Sequence, residues 1–217
     1  MRKWYRSLEM PAKVNVSNHP LVQDKLSTLR DKRTRPEDFR RILGEISALM
    51  AYDIFKGLRT RRSLVQTPLK SAPAEYIDQE IALVAILRAG LGMVEGVSKI
   101  VPNAQIGHIG LYRNEESLNP VRYYVRLPKQ ISESFVLLCD PMLATGGSAT
   151  EAIQILKTDG ARQIYLLTLL SCKAGIKRVQ EAHPDVPIYT AVIDPILNKS
   201  GYIVPGLGDA GDRIFGT

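Results

Sequence analysis

Hydrophobic positions recur at helical spacing in two segments near the start of the chain. In "HPLVQDKLSTLRDK", Leu21, Leu26 and Leu29 fall on roughly one helical face. In "TRPEDFRRILGEISALMAYDIFKGL", the apolar residues that share a face are Phe39, Ile42, Leu43, Ile46, Leu49 and Met50. Thr34 is a candidate N-cap of this second segment, and Pro36 lies in its first turn. The pattern predicts two amphipathic helices at the start of the fold.

From residue 81 onward the pattern changes to short, continuous apolar runs. These runs are 81–87, 105–111, 135–139, 163–170 and 187–193. Helix-forming stretches lie between them, near 91–100, 147–158 and 173–182. Continuous apolar runs are typical of strands buried on both faces of a parallel sheet. We therefore expect an α/β fold built on a doubly wound parallel sheet with right-handed crossovers.

Two segments do not follow this alternation of strands and helices. The basic cluster "LRTRRS" (58–63) precedes a short predicted strand at 64–67, and a connection that contains Pro73 follows it. The segment 113–130 is too polar for the core. We expect it to form a long loop or a projecting hairpin.

Composition narrows the class of protein. The chain has 217 residues, 45% of them hydrophobic, which suits one α/β domain with a sizeable core. Its formal net charge of +7 suits a polyanionic partner, either a nucleic acid or a phosphorylated small molecule, although many basic proteins have neither. Cys139 and Cys172 each end an apolar run, so we expect buried thiols and no disulfide.

The chain shows no sign of a secretion signal or a membrane span. Its basic start, "MRKWYRSLEM", is not followed by an apolar stretch, and no run reaches about 18 uninterrupted apolar residues. We therefore expect a cytoplasmic protein with no membrane partner.

Polar residues follow the predicted strands at the edge where open parallel sheets bind their ligands. Arg88 comes after the first run, Arg113 after the second, Asp140 after the third and Asp194 after the fifth. Asp140 is suited to accept hydrogen bonds from a sugar diol, but a solvated carboxylate in a turn would look the same in the sequence. The C-terminal edge of the sheet is the candidate site.

The segment that follows Asp140, from Ala144 to Ser148, is rich in small residues and hydroxyls. Glycines allow the backbone to approach a ligand, and the next helix offers unpaired N–H groups to a phosphate. It is not a Walker A loop, because no Gly-Lys-Ser/Thr follows. A plain strand-to-helix connection, with Thr145 or Ser148 as the helix cap, remains the alternative.

The last seventeen residues, "GYIVPGLGDAGDRIFGT", are also rich in glycine. A flexible tail is one interpretation. The apolar residues in the segment favour an ordered loop instead, and such a loop would expose backbone donors and acceptors to the edge of a flat heterocycle.

Four motifs together resemble the uracil phosphoribosyltransferase family. They are "ILRAGLGM", "YRNEE", "CDPMLATGGS" and "GYIVPGLGDAGDRIFGT", and their order and spacing agree across nearly the whole chain. Most members of the wider phosphoribosyltransferase superfamily have two adjacent acids before the phosphate loop. Here Pro141 follows Asp140, which is the pattern of the uracil enzymes.

The resemblance implies transfer of a phosphoribosyl group from 5-phosphoribosyl-1-pyrophosphate (PRPP) to uracil, which gives UMP and pyrophosphate. It implies catalytic roles for Arg88, Asp140 and Asp209, and a non-proline cis peptide just before Arg88. The implied PRPP-binding residues are Arg88, Arg113, Asp140, Pro141, Met142, Leu143, Ala144, Thr145, Gly146, Gly147, Ser148 and Asp209. The implied uracil-binding residues are Ile203, Gly208, Asp209 and Ala210.

The resemblance also implies Mg²⁺ as cofactor, held mainly by the substrate and with no dedicated protein site. It implies a homodimer or larger homo-oligomer, and GTP as a candidate effector for which the sequence locates no pocket. It divides one domain, 1–217, into N-terminal helices at about 18–58, a core at about 75–185 and a uracil-binding hood at about 186–217. The sequence supplies no match for the residues before Val14.

Two alternatives to this function remain. One is an RNA-binding pyrimidine regulator on the same fold, which the basic clusters would suit. Those clusters contain few aromatic residues that could stack on bases, so we disfavour a nucleic-acid partner. The other is a purine-specific transferase, which the C-terminal motif disfavours.

Overall fold

The computed structural model describes residues 13–113 and 120–217. Its α-helices are α1 (Pro20–Arg30), α2 (Pro36–Ile54), α3 (Gly90–Ser98), α4 (Gly147–Thr158), α5 (Lys173–Ala182) and α6 (Ala210–Phe215). Its strands are β1 (Val14–Val16), β2 (Thr60–Gln66), β3 (Ser71–Ile77), β4 (Ile81–Leu87), β5 (Gln105–Arg113), β6 (Pro120–Arg126), β7 (Phe135–Cys139), β8 (Met142–Leu143), β9 (Gln163–Cys172), β10 (Ile188–Asp194), β11 (Ile196–Leu197) and β12 (Ile203–Val204).

A mostly parallel sheet forms the centre of the molecule. Its strand order is β1-β10-β9-β7-β4-β5-β6, and β8 adds to β9 beside this path. Neighbouring strands are parallel except β5 and β6, which are antiparallel. Successive residues of β4 pack into two separate hydrophobic clusters, one on each face of the sheet. The expected fold class is confirmed, with all five predicted core strands present and helices on both faces.

The two N-terminal helices are confirmed, with two corrections to their details. In α1 the buried face contains Val22 rather than Leu21, whose exposure is 53%. The predicted cap of α2 is wrong, because the N-cap residue is Arg35 and its side chain makes no capping bond. The Thr34 hydroxyl instead donates to the carbonyl of Thr28 at 2.6 Å. Pro36 begins α2 as predicted, in the first turn where its missing N–H costs nothing.

The two irregular segments are both β-structures. The strand predicted at 64–67 is too short, because β2 begins at Thr60 and takes in most of the basic cluster. It pairs with β3 in an antiparallel hairpin, and Pro73 lies inside β3 opposite Leu64. In 113–130, β6 returns along β5, which agrees with a hairpin rather than a loop as far as the described residues extend.

Both cysteines are buried and free, as predicted. No helix in the described part of the chain has the length and apolar character needed to cross a membrane.

Candidate active site

The turns after β4 and β7 pack directly against each other. The peptide between Leu87 and Arg88 is cis, as the resemblance implied. Two residues later, a Cβ on Gly90 would overlap the carbonyl oxygen of Cys139. Glycine at this position therefore lets the turn that bears Arg88 lie against the end of the strand that leads into Asp140.

Arg88 extends from this turn toward the C-terminal helix α6. Its Nη2 atom lies 3.5 Å from Oδ1 of Asp212, and its guanidinium stands over the ring of Phe215, 5.6 Å from the centroid. Both ionic partners are about half exposed, so the pair adds little to stability. Its consequence is positional, because it keeps a cation beside Gly211 and Asp212 of α6. The sequence did not predict this role for Asp212 or Phe215.

Asp140 is half-buried directly after β7. Burial raises the pKa of its carboxyl to about 7, and a hydrogen bond from the backbone N–H of Met142 only partly opposes this shift. The Asp140 N–H donates to the carbonyl of Leu167 on β9 at 3.1 Å, which fixes the backbone. The carboxylate is therefore costly to ionise until a ligand supplies donors or positive charge.

The three residues that follow Asp140 connect the strand to the loop. The carbonyl of Pro141 accepts bonds from the backbone N–H groups of Leu169 and Leu170 at 3.1 and 3.0 Å. Leu143 is 2% exposed and packs in the core, whereas Met142 is half-buried. In this structure Pro141 and Leu143 anchor the backbone, and Met142 reaches the ligand cavity described below.

The loop before α4 leaves the helix N-terminus open. Gly146 is the N-cap residue with φ of 79°, a left-handed conformation that favours glycine, and no side chain of the described residues caps this helix end. The alternative in which Thr145 or Ser148 caps α4 is therefore not observed. The open end leaves backbone N–H groups and the positive end of the helix dipole available to an anion.

A second glycine, Gly175 in α5, supports this loop from behind. A Cβ on Gly175 would lie 2.6 Å from the carbonyl oxygen of Ala144 and 2.7 Å from that of Leu143. Arg178, on the same helix, places Nη1 3.4 Å from the Cβ position that Gly147 lacks. Sequence reasoning missed both residues, although "KAG" directly after an apolar run was a signal of the kind used for Gly90.

The C-terminal segment is ordered and closes the other side of the site. A cavity of about 400 Å³ is lined by Met142, Ala144, Ser200, Gly201, Tyr202, Ile203, Gly208, Asp209 and Ala210. Two regions predicted to bind different parts of the ligands thus share one cavity. The flexible-tail interpretation is not observed, because Ile203, Leu207, Ala210 and Ile214 are buried.

Asp209 borders the cavity and also begins α6. Its Oδ1 accepts a hydrogen bond from the N–H of Asp212 at 3.0 Å, which is an N-cap interaction. In the described part of the chain, no residue forms a hydrogen bond with Oδ2 of Asp209, so this oxygen is available to a ligand. Asp209 therefore has both a structural contact and a carboxylate oxygen at the site.

Of the described candidates, Met142, Ala144, Ile203, Gly208, Asp209 and Ala210 line this cavity, whereas Arg88, Asp140, Pro141, Leu143 and Thr145–Ser148 lie in the neighbouring turns and the start of α4. Asp194, the last residue of β10, binds Arg30 and does not line the cavity. The backbone of Arg113 ends β5, but its side chain lies outside what the structure describes. The predicted role of Arg113 therefore stays a prediction.

The sequence matches the uracil phosphoribosyltransferase family over residues 16–217. This chain belongs to that family. It is 53% identical over 207 residues to the uracil phosphoribosyltransferase of Clostridium kluyveri, covering 95% of this chain and 99% of that protein. It is 52% identical over 206 residues to that of Thermus thermophilus, with 94% and 99% covered.

A solved structure has the same fold as this chain. The AQ2163 protein from Aquifex aeolicus superposes with a TM-score of 0.89 at 36% identity, covering 94% of this chain and 98% of that one. Family membership identifies the chain as a phosphoribosyltransferase enzyme. Nothing in these matches supports the alternative of an RNA-binding regulator.

Proposed function

We propose that this chain converts uracil and PRPP to UMP and pyrophosphate through the cavity between the phosphate loop and the C-terminal segment. The observation that carries the proposal is the open, positively polarised start of α4 together with the segment that joins it to Asp140, because Met142 and Ala144 of that segment share a cavity with Ile203 and Gly208–Ala210. A sugar phosphate on one side and a flat base on the other would meet in this space.

The reaction replaces one bond at C1 of the ribose. The C1–O bond to pyrophosphate breaks, the C1–N1 bond to uracil forms, and the N1 proton leaves uracil. Positive charge builds on the ribose ring as the bond to pyrophosphate lengthens. The chain needs no covalent nucleophile for this displacement, because orientation and stabilisation of charge can supply the acceleration.

The 5′-phosphate and the ribose have separate contacts in this proposal. Residues Ala144–Ser148 and the N-terminus of α4 bind the phosphate through backbone N–H groups, and Arg178 adds positive charge nearby. Asp140 accepts hydrogen bonds from the ribose hydroxyls. Its ionised form does so more strongly, because hydrogen bonds to charged acceptors are worth about 1.5–3 kcal/mol.

In this proposal, two arginines bind the leaving pyrophosphate. Arg88 already lies beside Asp212 and Phe215 of α6, the helix that follows the cavity-lining Asp209. The Arg88 guanidinium can form two parallel hydrogen bonds with phosphate oxygens, whereas its present partner, the half-exposed carboxylate of Asp212, lies 3.5 Å away. PRPP would therefore displace the contact with Asp212. Arg113 is the second arginine of the proposal.

Magnesium is the proposed cofactor, and the donor chemistry of the site suits it. Asp140 and Asp209 bring carboxylate oxygens, the ligands that Mg²⁺ prefers, to the same edge of the sheet. In the described part of the chain, no group of three or more His, Cys, Asp or Glu side chains converges on one point. The proposal therefore assigns most of the coordination to PRPP oxygens and water. When bound, Mg²⁺ supplies positive charge that offsets the charge gathering on pyrophosphate.

Uracil would be recognised by backbone groups of Ile203 and Gly208–Ala210. Uracil and cytosine present opposite donor and acceptor patterns at the same edge of the ring. A rigid loop rejects the wrong base because its polar groups would be left without partners.

An assay of product formation tests the proposed reaction. The purified chain is mixed with PRPP, Mg²⁺ and one of uracil, cytosine or hypoxanthine, and nucleotide formation is followed spectrophotometrically. We expect UMP from uracil and no nucleotide from the other bases. Absence of UMP would refute the proposal, and IMP from hypoxanthine would support the purine-specific alternative.

Three further properties stay predictions. A rate titration with GTP at low PRPP tests whether GTP is an effector. Fractionation of cells tests the cytoplasmic location. The mass of the native protein in solution tests whether it forms a homo-oligomer.

A further inference from the structure

One glycine in the middle of the C-terminal segment is held through both its backbone N–H and its backbone carbonyl. Gly206 lies between Ile203 and Gly208, the two positions proposed to bind uracil. Its N–H donates to Oδ2 of Asp194 at 3.0 Å, and its carbonyl accepts from Nη1 of Arg30 at 2.8 Å. A single ion pair therefore fixes the donor and the acceptor of the same residue.

The ion pair itself has a bidentate geometry. Nη2 of Arg30 donates to Oδ1 of Asp194 at 2.7 Å, and Nη1 donates to Oδ2 at 2.9 Å. Asp194 is 4% exposed, so water does not compete for its oxygens. Arg30 ends α1 and Asp194 ends β10, and both are rigid elements of the core.

Glycine is required where the ion pair holds the loop. Gly206 has φ of 58°, and a Cβ there would overlap the carbonyl oxygen of Ile203. The tight turn thus places backbone, rather than a side chain, against Arg30 and Asp194. Arg213 adds a further bond to the same loop, from Nη1 to the carbonyl of Leu207 at 3.1 Å.

We propose that Arg30 and Asp194 are positioning residues that hold the uracil-binding loop in the backbone conformation that binds uracil. Neither residue lines the cavity. Rotation of the backbone at Gly206 would change the orientation of the N–H and carbonyl groups of the neighbouring residues. Recognition of uracil by backbone groups depends on those orientations. The inference rests on the proposed role of Ile203 and Gly208–Ala210 in binding the base.

A buried ion pair is a poor device for stability alone. Its desolvation cost often cancels the attraction, and apolar residues of similar size can stabilise a core equally well. Arg30 and Asp194 use their remaining hydrogen-bonding capacity on Gly206, which apolar residues could not do. Geometry of the loop is therefore the property that this pair supplies.

The test separates uracil binding from PRPP binding by steady-state kinetics. The variants are Arg30→Met, which keeps the length of the side chain without its donors, and the milder Arg30→Lys and Asp194→Asn. We expect the KM for uracil to rise about 10- to 100-fold, as misplacement of groups by about 1 Å can do. The KM for PRPP should stay within about twofold, since the phosphate loop has its own anchors in β9 and α5.

Lys25→Met is the matched control. Lys25 also lies on α1 and forms a 2.5 Å ion pair, with Glu45 of α2, and its side chain is 29% exposed against 23% for Arg30. Among the described residues, it forms no hydrogen bond or ion pair with the C-terminal segment. We expect this variant to keep both KM values of the wild type, whatever it does to the melting temperature.

The outcomes separate this inference from the proposed reaction. If the wild-type chain forms no UMP, the proposed function fails. If the wild type is active but the folded Arg30 and Asp194 variants keep its uracil KM, the positioning role is refuted. Equal rises in both KM values would also refute it, because they would indicate a general loss of structure. Should Arg30→Met not fold, Arg30→Lys and Asp194→Asn decide the matter.

Discussion

At the scale of single residues, Asp140 shows a conflict between stability and function. Burial makes its carboxylate costly to ionise, as the pKa of about 7 reflects, yet the proposed contact with ribose needs that charge. Below about pH 7 such a carboxyl is mostly protonated in the free protein, and a substrate that brings donors or a metal favours its ionised form. Perturbed carboxyls of this kind are common at catalytic sites.

We predict that kcat/KM for PRPP has an acid limb near pH 7 that reports the ionisation of Asp140 in the free enzyme. Asp140→Asn should lower activity about 10- to 100-fold, from the loss of hydrogen bonds worth about 1.5–3 kcal/mol, and should remove that limb. Initial rates from pH 5.5 to 8.5 measure both effects. A variant with wild-type kinetics would take Asp140 out of the site.

The same substitution should stabilise the fold at high pH. The folded-state pKa of Asp140 lies above the unfolded value, so its ionisation reduces the free energy of unfolding as pH rises from about 4 to 7. Asp140→Asn removes this penalty, which is at most about 4 kcal/mol. Urea unfolding should give the variant a higher free energy of unfolding than the wild type at pH 8 and an equal one at pH 4. The opposite order at pH 8 would contradict the raised pKa.

At the scale of elements, the position of the proposed phosphate loop, Ala144–Ser148, depends on helix α5, which lies elsewhere in the sequence. Gly175 of α5 allows the carbonyls of Leu143 and Ala144 to lie where a side chain would otherwise be. The loop, Gly146 and α4 therefore have their position set from β9 and α5 as much as from β7.

We predict that Gly175→Ala raises the KM for PRPP more than the KM for uracil, because the added Cβ would push the loop toward the phosphate. A rise of about 10-fold or more is expected from a displacement of this kind. Gly57→Ala is the control, since a Cβ there would meet its nearest atom at 3.9 Å. Unchanged PRPP kinetics in a folded Gly175→Ala variant would show that the loop can shift without loss.

At the scale of the whole molecule, the β2–β3 hairpin stands apart from the central sheet. Leu64 is 71% exposed and Leu69 is 95% exposed, and Tyr76 and Ile77 also expose much of their surface. An isolated two-stranded hairpin is marginally stable in water, and exposed apolar side chains favour association. We propose a second copy of this chain as the partner that covers the hairpin.

We predict that the double variant Leu64→Glu and Leu69→Glu lowers the oligomeric mass measured by light scattering after size exclusion. Ile106→Glu is the control, as Ile106 is an apolar residue with 48% exposure outside the hairpin. The wild type should have at least the mass of a dimer, and the control should keep it. A monomeric wild type, or a double variant of unchanged mass, would refute the role of the hairpin.

The sequence by itself determined the features that depend on neighbours along the chain. The apolar runs set the core strands because burial on both faces leaves a continuous hydrophobic signature. The stretch from Asp140 to Ser148 indicated an anion site, since small residues before a helix expose its N–H groups. The four motifs, with Pro141 after Asp140, identified the family that the comparisons then showed.

The tertiary structure decided what depends on distant contacts. The buried face of α1 includes Val22 in place of Leu21 because packing against other elements, not helical spacing alone, sets its rotation. Arg30 forms an ion pair with Asp194, which is 164 residues away in the sequence, and both side chains form hydrogen bonds with the backbone of Gly206. No local pattern predicts such a contact, since its geometry comes from how whole elements pack. The C-terminal loop that we propose to bind the base was visible in the sequence, but the contacts that hold it in place were not.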